Sequence, residues 1–520
     1  DDEQLAAVLD HTDLEPDCLK KAQLRQDRLR IPQDLVLLAQ WLCQTYDCSV
    51  GDALTCILTG PVLKDLKPKR AGTSRSRSSN TRSSLPSSTK APDLTAEQSA
   101  AVHSGLQQKR LGQAALLFGI TGSGKTEIYL DWVERTLAVG QSAIVLVPEI
   151  ALTAQAIERY QGRLGDTVAV LHSHLSDGER RQAWQRLLVG DCQVALGTRS
   201  AVFAPLANIG LVVLDEEHDT SYKQESSPRY HARAVAQQRL LLQRKLQQRA
   251  HGDFLEAQSN AGRLLVVGSA TPSLESLHNS RLYPSAFPQI VLRQRATGAK
   301  LPPVQLVDLR KHRLPRGFVI SEPLLARLSE IAHHHHQAIL LYNRRGYSHY
   351  LQCQDCGLSV QCKNCSVAMV YHRSQQKLRC HYCDAISPLL DLCPGCAGHQ
   401  LVYQGSGTEK LEDELAERLP QLRVIRMDKD KTSTKESHQK ILGAFGRREY
   451  DVLLGTQMVA KGLDFPNVTL VGVLQADSSL NIPDFRSSER TFQLLSQVAG
   501  RAGRAQHPGH VLIQTMNPQD

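Results

Sequence analysis

Short apolar runs recur along most of the chain, each followed by a polar or glycine-containing turn and then by a stretch with helical spacing. The first series is ALLF (115–118), AIVLV (143–147), VAVLH (168–172), QVALG (193–197), LVVLD (211–215) and LLVVG (264–268). A second series is AILLY (338–342), RVIRM (423–427), DVLLG (451–455), TLVGVL (469–474) and HVLIQT (510–515). Such runs alternating with helices predict parallel sheets covered by helices on both faces, the α/β class. The two series predict two similar lobes, 93–294 and 295–520. Ahead of them, Leu35, Val36, Leu38, Trp41 and Leu42 recur near a 3.6-residue period, so 1–66 is expected to be a small helical piece. The segment 67–92, KPKRAGTSRSRSSNTRSSLPSSTKAP, has no acid and almost no apolar residue. It buries too little surface to offset ordering entropy and is expected to be a basic, Ser/Arg-rich disordered linker. Residues 240–263 read as an exposed helix and loop, and the histidine run 333–336 as an exposed helix end rather than a metal site.

A chain of 520 residues has room for roughly three or four domains. Apolar residues make up 41% of it, but no run approaches the roughly 18 needed to cross a bilayer, which argues against a membrane protein. The opening run DDEQLAAVLD has neither the basic start nor the apolar core of a signal peptide, and Asp1 stands where Met would be expected. A cytoplasmic protein with a truncated start is the expectation. The net charge of +9 and pI near 8.9 suit a polyanionic partner, and equally a merely basic enzyme. Eight of the thirteen cysteines fall between Cys353 and Cys396, which points to metal binding rather than a disulfide framework.

The chemistry starts where the strand ALLF enters Gly119, Ile120, Thr121, Gly122, Ser123, Gly124, Lys125 and Thr126, a match to G-x-x-x-x-G-K-[ST] at every fixed position. Glycines there let backbone N–H groups turn inward around phosphate oxygens, and the following helix presents its positive end. Lys125 is expected to neutralise the β- and γ-phosphates of ATP, and Thr126 to ligate Mg²⁺. Such a site also needs a carboxylate at the end of a neighbouring strand. LVVL followed by Asp215, Glu216, Glu217 and His218 supplies it, with Asp215 for the Mg²⁺ shell and Glu216 as general base for the attacking water.

With DEEH in place, the sequence resembles the DExH helicases of superfamily 2, whose fold is two RecA-like parallel-sheet motor lobes. LTAEQ with Gln98 resembles the segment that touches adenine. LVPEIALT (146–153), ALGTRSAVF (195–203), GSATP (268–272), GTQMVAKGLDFP (455–466) and QVAGRAGR (497–504) resemble the remaining motifs in order. The resemblance implies nucleotide contacts at Gly462, Asp464 and Gln497, and arginine fingers at Arg501 and Arg504. Arginines there stabilise charge on the transferring phosphoryl group only when the lobes close. Within the superfamily the chain is similar to the PriA family of primosomal replication-restart helicases. That similarity rests on VPEIALT, GTRSAVFAP, DEEHDTSYKQ, RYHARAVA, GSATPSLES, LYNRRGYS, the cysteine module, GTEKLEDEL and DFRSSERTFQLLSQVAGRAGR.

In that family the segment after DEEH is an aromatic-rich loop that senses DNA. Tyr222, Lys223, Arg229, Tyr230 and His231 occupy it here, without the tryptophan the family pattern leads one to expect. Aromatics interleaved with cations suit stacking on unpaired bases. Thr198, Arg199, Asn343, Arg344, Arg345 and Thr456 are the expected backbone contacts, because basic and hydroxyl side chains grip phosphates independently of sequence. The resemblance further implies 3′ to 5′ movement on DNA at stalled or branched forks, and single-stranded-DNA-binding protein and primosome components as partners. It implies a bacterial, nucleoid-associated location, and it makes 1–66 a remnant of an N-terminal DNA-binding domain. By the same comparison the linker replaces a winged-helix domain, and the sequence stops short of a C-terminal domain.

Four C-x-x-C pairs stand at Cys353/Cys356, Cys362/Cys365, Cys380/Cys383 and Cys393/Cys396, inside a module at 351–400. Each pair supplies two thiolates, so the eight match two closed tetrahedral zinc sites. The spacing from Cys365 to Cys380, with SVAMVYH, RSQQ and KLRC as strand, turn and strand, predicts an inner site of Cys362, Cys365, Cys380 and Cys383. Cys353, Cys356, Cys393 and Cys396 then close an outer site around its base. With no open position these are structural sites, and the resemblance makes the module a strand-separating and partner-docking surface. Two rival readings are another superfamily 2 translocase that moves duplex without separating it, and a zinc-dependent DNA-binding scaffold with a vestigial ATPase.

Overall fold

The strand-length apolar runs are strands, and in each lobe they lie parallel. The computed structural model describes residues 31–58, 92–149, 154–173, 175–251, 262–314, 318–342, 350–365, 367–372, 377–403, 408–427, 435–456, 459, 465–482, 484–503 and 507–520. These fall into two compact units, 31–119 with 124–293, and 120–123 with 294–520.

The first unit is built on a seven-stranded sheet in the order β3-β4-β2-β5-β6-β1-β7. Its strands are β1 (Ala114–Gly119), β2 (Ser142–Leu146), β3 (Val168–Leu171), β4 (Val194–Gly197), β5 (Ile209–Asp215), β6 (Leu264–Ser269) and β7 (Gln289–Leu292). Every pairing is parallel, and the register sets Phe118 beside Ser269 and Asp215 beside Gly268. The carboxyl ends of β1, β6 and β5 therefore form one edge, the place where open α/β sheets bind ligands. Alternate residues serve opposite faces, Leu116, Ile144 and Val212 on one, Leu117, Val145 and Val213 on the other. Both faces are covered, which is why the strands read as nearly unbroken apolar runs.

Two helices ahead of the sheet, α1 (Gln33–Tyr46) and α2 (Val50–Ile57), place Leu35, Leu38, Leu42, Ala53 and Ile57 in the core on the Leu116 face. After them come α3 (Ala96–Leu111), α4 (Lys125–Ala138), α5 (Ala232–His251) and α6 (Leu274–Leu282). The attachment of α1 includes a buried ion pair. Arg239 on α5 donates from Nε to Asp34 Oδ2 at 2.8 Å and from Nη1 to Val202 O at 2.6 Å, and Gln243 Nε2 donates to the same carboxylate oxygen at 2.9 Å. Within the described residues the expected small helical piece is thus α1 and α2, packed on the sheet of the first lobe. The apolar stripe of α1 is completed by the first lobe's sheet, and no core of its own is needed. The expected linker, 67–92, lies almost entirely outside the described residues.

The second unit carries a six-stranded parallel sheet, β15-β16-β9-β17-β18-β8. These strands are β8 (Val304–Asp308), β9 (Gln337–Tyr342), β15 (Val424–Met427), β16 (Val452–Gly455), β17 (Val468–Leu474) and β18 (His510–Thr515), with helices α7 (Glu322–His334) and α8 (Ser487–Ala499) among its cover. Between β9 and β15 the chain leaves for the cysteine module. Its base is the antiparallel pair β10 (Leu351–Cys353) and β14 (Leu401–Tyr403), and its body is β11 (Val370–His372), β12 (Lys377–Arg379) and β13 (Ile386–Ser387). Among the described residues no helix is long and apolar enough to cross a membrane.

Candidate functional site

The turn between β1 and α4 depends on two glycines, Gly122 at φ +84° and Gly124 at φ +81°, conformations a side chain disfavours. Ser123 N donates to Ile120 O at 3.0 Å, and Lys125 reaches back across the turn to Gly119 O at 3.0 Å. Thr126 follows at the start of α4, where backbone N–H groups are not used within the helix.

Asp215 ends β5 on the same edge. Tyr129, one turn into α4, donates from its hydroxyl to Asp215 Oδ1 at 3.0 Å, so the helix that follows the glycine turn also positions the carboxylate. Burial, and then Glu216, push the Asp215 carboxyl up to about 6, while Lys125 and the Tyr129 hydrogen bond pull it down. Glu216 stands at φ +47°, a left-handed conformation that costs on the order of 1 kcal/mol in a residue with a side chain. Glu217 faces inward. Its carboxylate accepts from Ser273 N at 2.6 Å, Ser276 Oγ at 2.9 Å and Arg233 Nη1 at 3.3 Å. His218 Nδ1 meets Ser269 Oγ at 2.8 Å. DEEH and GSATPS are therefore one hydrogen-bonded unit. Gly268 is required there, since a Cβ would lie 1.7 Å from the Tyr129 hydroxyl.

Tyr222 is fully buried, and its hydroxyl donates to Asp215 O at 2.6 Å and approaches Leu146 O at 2.9 Å. Tyr230, 1% exposed, packs edge-on against Phe203 with ring centroids 5.2 Å apart. The expectation that these two rings stack on bases is corrected. Both are spent in the core, where they anchor the loop. Lys223 is exposed and donates from Nζ to Arg229 O, and Arg229 is exposed as well. Arg199 donates from Nη1 to Ser221 O at 3.1 Å and to Lys223 O at 2.6 Å, so GTRSAVF holds the same loop from the other side. Thr198 is nearly buried.

The eight cysteines form two groups, Cys353, Cys356, Cys393 and Cys396, and Cys362, Cys365, Cys380 and Cys383, with all sulfurs of a group within 4.8 Å of one another. Three knuckles share one turn. Gly357 N donates to Cys353 O at 3.0 Å, Asp384 N to Cys380 O at 3.0 Å and Ala397 N to Cys393 O at 2.9 Å, and each donor has positive φ. Tyr382 N and Gly395 N point at Cys380 Sγ and Cys393 Sγ, both at 3.4 Å. Four converging sulfurs with backbone N–H groups aimed at them fit a tetrahedral zinc tetrathiolate, and the nested pairing is the one the spacing predicts.

Three family descriptions match this chain: DEAD/DEAH box helicase over residues 95–280, PriA DNA helicase Cys-rich region domain over 362–388, and helicase conserved C-terminal domain over 388–506. The replication restart protein PriA of Bacillus subtilis (strain 168) is 48% identical over 404 residues, which cover 78% of this chain and 48% of that protein. That of Synechocystis is 45% identical over 439 residues, 82% of this chain and 50% of the relative. That of Rickettsia conorii (strain Malish 7) is 34% identical over 493 residues, 95% of this chain and 71% of the relative. The chain belongs to the PriA family. It spans about half the length of the first two of these PriA proteins.

Of the residues expected to serve a PriA motor, the structure brings Lys125, Thr126, Asp215 and Glu216 to one sheet edge. Gln98 is buried and caps α3, its side chain accepting from Thr95 N at 2.9 Å while its own N–H meets Thr95 Oγ1 at 3.3 Å. Gln497 lies near the end of α8 and is nearly buried, Arg501 follows it, and Thr456 is half-buried after β16. Asn343, Arg344, Arg345, Gly462, Asp464 and Arg504 lie outside the described residues. Tyr129, Glu217, His218 and Gly268 received no role from sequence. Glu217 and His218 were visible within DEEH, whereas nothing local to Tyr129 signals a partner 86 residues away.

Proposed function

We propose that this chain is the motor of an ATP-dependent DNA helicase that acts at stalled or branched replication forks in replication restart. The observation that carries the reading is the connected edge at which Lys125, Tyr129 and Asp215 meet and from which Tyr222 leads to the loop after DEEH. Lys125 neutralises phosphate charge, and the hydroxyl of Thr126 with the carboxylate of Asp215 is a hard-oxygen donor set that fits Mg²⁺. When bound, Mg²⁺ supplies charge neutralisation at the β- and γ-phosphates. Glu216 takes the proton of the attacking water. Arg501 and Arg504 stabilise the charge that develops on the transferring group, an effect worth about 10³ to 10⁵ in rate for arginine fingers generally. Gln98, Gly462, Asp464 and Gln497 are further nucleotide contacts in this reading.

The loop after DEEH hangs from Asp215 O through Tyr222 and from Arg199, so movement at the carboxylate is felt at Lys223 and Arg229. Those two, with Thr198, Arg199, Thr456, Asn343, Arg344 and Arg345, are the proposed contacts to the DNA backbone. Movement is 3′ to 5′, the cysteine module separates strands, and single-stranded-DNA-binding protein and primosome components are the partners. The location is the cytoplasm, at the nucleoid.

The test is ATP hydrolysis by the purified chain with and without forked DNA, with Lys125→Ala as control, followed by strand displacement on forks of either polarity. Fork-stimulated hydrolysis that disappears in the variant, with displacement of one polarity, is expected. Stimulated hydrolysis without displacement would replace the helicase by a duplex translocase, and hydrolysis indifferent to Lys125 would sink the motor itself.

A further inference from the structure

The pair α1 and α2 does more than complete the core of the first lobe. Tyr46, the last residue of α1, stands edge-on to Trp41 five residues earlier, with ring centroids 5.8 Å apart at an interplanar angle of 89°. Over the face of the Tyr46 ring lies Lys223 of the loop after DEEH, its Nζ 5.8 Å from the centroid. An ammonium within about 6 Å of an aromatic face is attracted by the ring's quadrupole. The same Nζ donates to Arg229 O across the loop, and Lys223 itself pairs with His231 in an antiparallel bridge. The next residue, Gln224, donates from Nε2 to Cys56 Sγ on α2 at 3.6 Å and from its backbone N to Tyr230 O at 2.9 Å. The two helices thus hold consecutive residues of the loop, while Arg199 grips the backbone at Lys223 O from the sheet side.

We propose that Tyr46 is a positioning residue for nucleic acid: it presents the Lys223 ammonium, in a preset place, to the phosphate backbone of a strand that passes the loop. The proposal rests on the reading of the loop after DEEH as a DNA contact, and it adds α1 and α2 to the surface that does the sensing. Lys223 is exposed, and an ammonium has three N–H donors, of which Arg229 O takes one. The charge therefore stays open to a phosphate oxygen. A free lysine side chain surrenders rotamer freedom when it binds, whereas one already held by a ring and a carbonyl has little left to lose. Trp41 sets the orientation of the Tyr46 ring, and Cys56 steadies the adjacent Gln224. With phosphate as the ligand, the contact is blind to base sequence.

The experiment measures, by fluorescence anisotropy and without nucleotide, the binding of a labelled forked DNA to the full chain and to four variants: Tyr46→Ala, Tyr46→Phe, Lys223→Ala, and Tyr46→Ala combined with Lys223→Ala. Tyr46→Ala is expected to weaken binding about two- to fivefold, the range an exposed cation–π contact allows, and Tyr46→Phe, which keeps the ring face, to restore it. In the Lys223→Ala background, Tyr46→Ala should cost nothing further, since the two residues share one contact. Binding unchanged in Tyr46→Ala, while Lys223→Ala weakens it, overturns the proposal and leaves the loop as a DNA contact. Additive losses in the double variant, or a loss in Tyr46→Phe equal to that in Tyr46→Ala, overturn it too, because the ring would then act on the fold and not through Lys223. Binding unchanged in Lys223→Ala sinks the reading of the loop itself, and the proposal with it.

Discussion

Asp215 meets opposed requirements, and its surroundings show which one dominates. A buried carboxylate next to Glu216 sits at about 6 rather than 3.8, so the folded chain holds that proton more tightly than the unfolded chain. By linkage, the associated stability is present below 3.8 and lost as pH rises through about 6. At neutral pH the charge is a cost on the order of 2–3 kcal/mol, and in the proposed reading it is retained because the ionised form is the one that would hold Mg²⁺. Asp215→Asn is therefore expected to raise the thermal midpoint of the nucleotide-free protein at neutral pH, to lose that advantage in acid, and to abolish ATP hydrolysis. Scanning calorimetry at two pH values checks it, and a midpoint unchanged or lowered at neutral pH would refute it. Tyr129 donates to the ionised carboxylate and so favours it. Removing the hydroxyl in Tyr129→Phe should move the acid limb of kcat/KM for ATP hydrolysis toward alkaline pH, and an unmoved limb would show that the hydrogen bond does not tune this group. The glycine turn and DEEH were legible because their chemistry is written in consecutive residues. Tyr129, Gly268 and the inward-facing Glu217 were not, because their meaning comes from partners on other strands and helices.

At the scale of elements, the same pattern of residues had two outcomes that only packing could separate. The 3.6-residue period of α1 announced a helix with one apolar face, but the period is silent about which surface receives that face. Here it is the Leu116 side of the first sheet, fastened by Asp34 and Arg239, both almost wholly excluded from water. Breaking a buried pair leaves one charge without its partner, at a typical cost of about 3–5 kcal/mol. Asp34→Ala is expected to destabilise the first unit by that amount and so to lower its denaturation midpoint. All three tryptophans, Trp41, Trp132 and Trp184, lie in this unit, so their fluorescence reports its unfolding without interference from the second. A transition at Trp132 and Trp184 that ignored the substitution would make α1 and α2 an appendage after all. The loop after DEEH repeats the lesson. Tyr222 and Tyr230 among cations look like a stacking platform in sequence, yet the hydroxyl of one finds two backbone carbonyls and the ring of the other finds Phe203. Aromatic rings satisfy either environment, and burial decides.

Across the whole molecule, the cysteine module is joined to the second sheet unevenly, and that sets what loss of each metal should do. Its outer group rests on the lobe. A Cβ at Gly357, next to the Cys353 knuckle, would lie 2.6 Å from Met516 O just beyond β18, and Arg313 meets Asp355 at 3.3 Å. The inner group instead has its own small core of Leu351, Val360, Met369 and Leu378, apart from the cluster that holds the second sheet. The nesting was readable in advance because C-x-x-C spacing and a hairpin-length insert are local, while the seat on Met516 spans more than 150 residues of sequence and left no local trace. Cys380→Ser should therefore release one zinc and loosen β11 to β13 while the second lobe keeps its thermal midpoint. Lys125-dependent hydrolysis should stay within a few-fold of the parent, and strand displacement should be lost. Cys353→Ser should also release one zinc, but it removes a ligand at the junction with the lobe and should lower the lobe's midpoint and its hydrolysis together. Metal analysis, proteolysis of the 350–403 segment and the two activity assays separate the cases. Equal loss of hydrolysis in both variants would mean that the module and the lobe unfold as one cooperative body, and the division of labour between motor and strand separator would then fail.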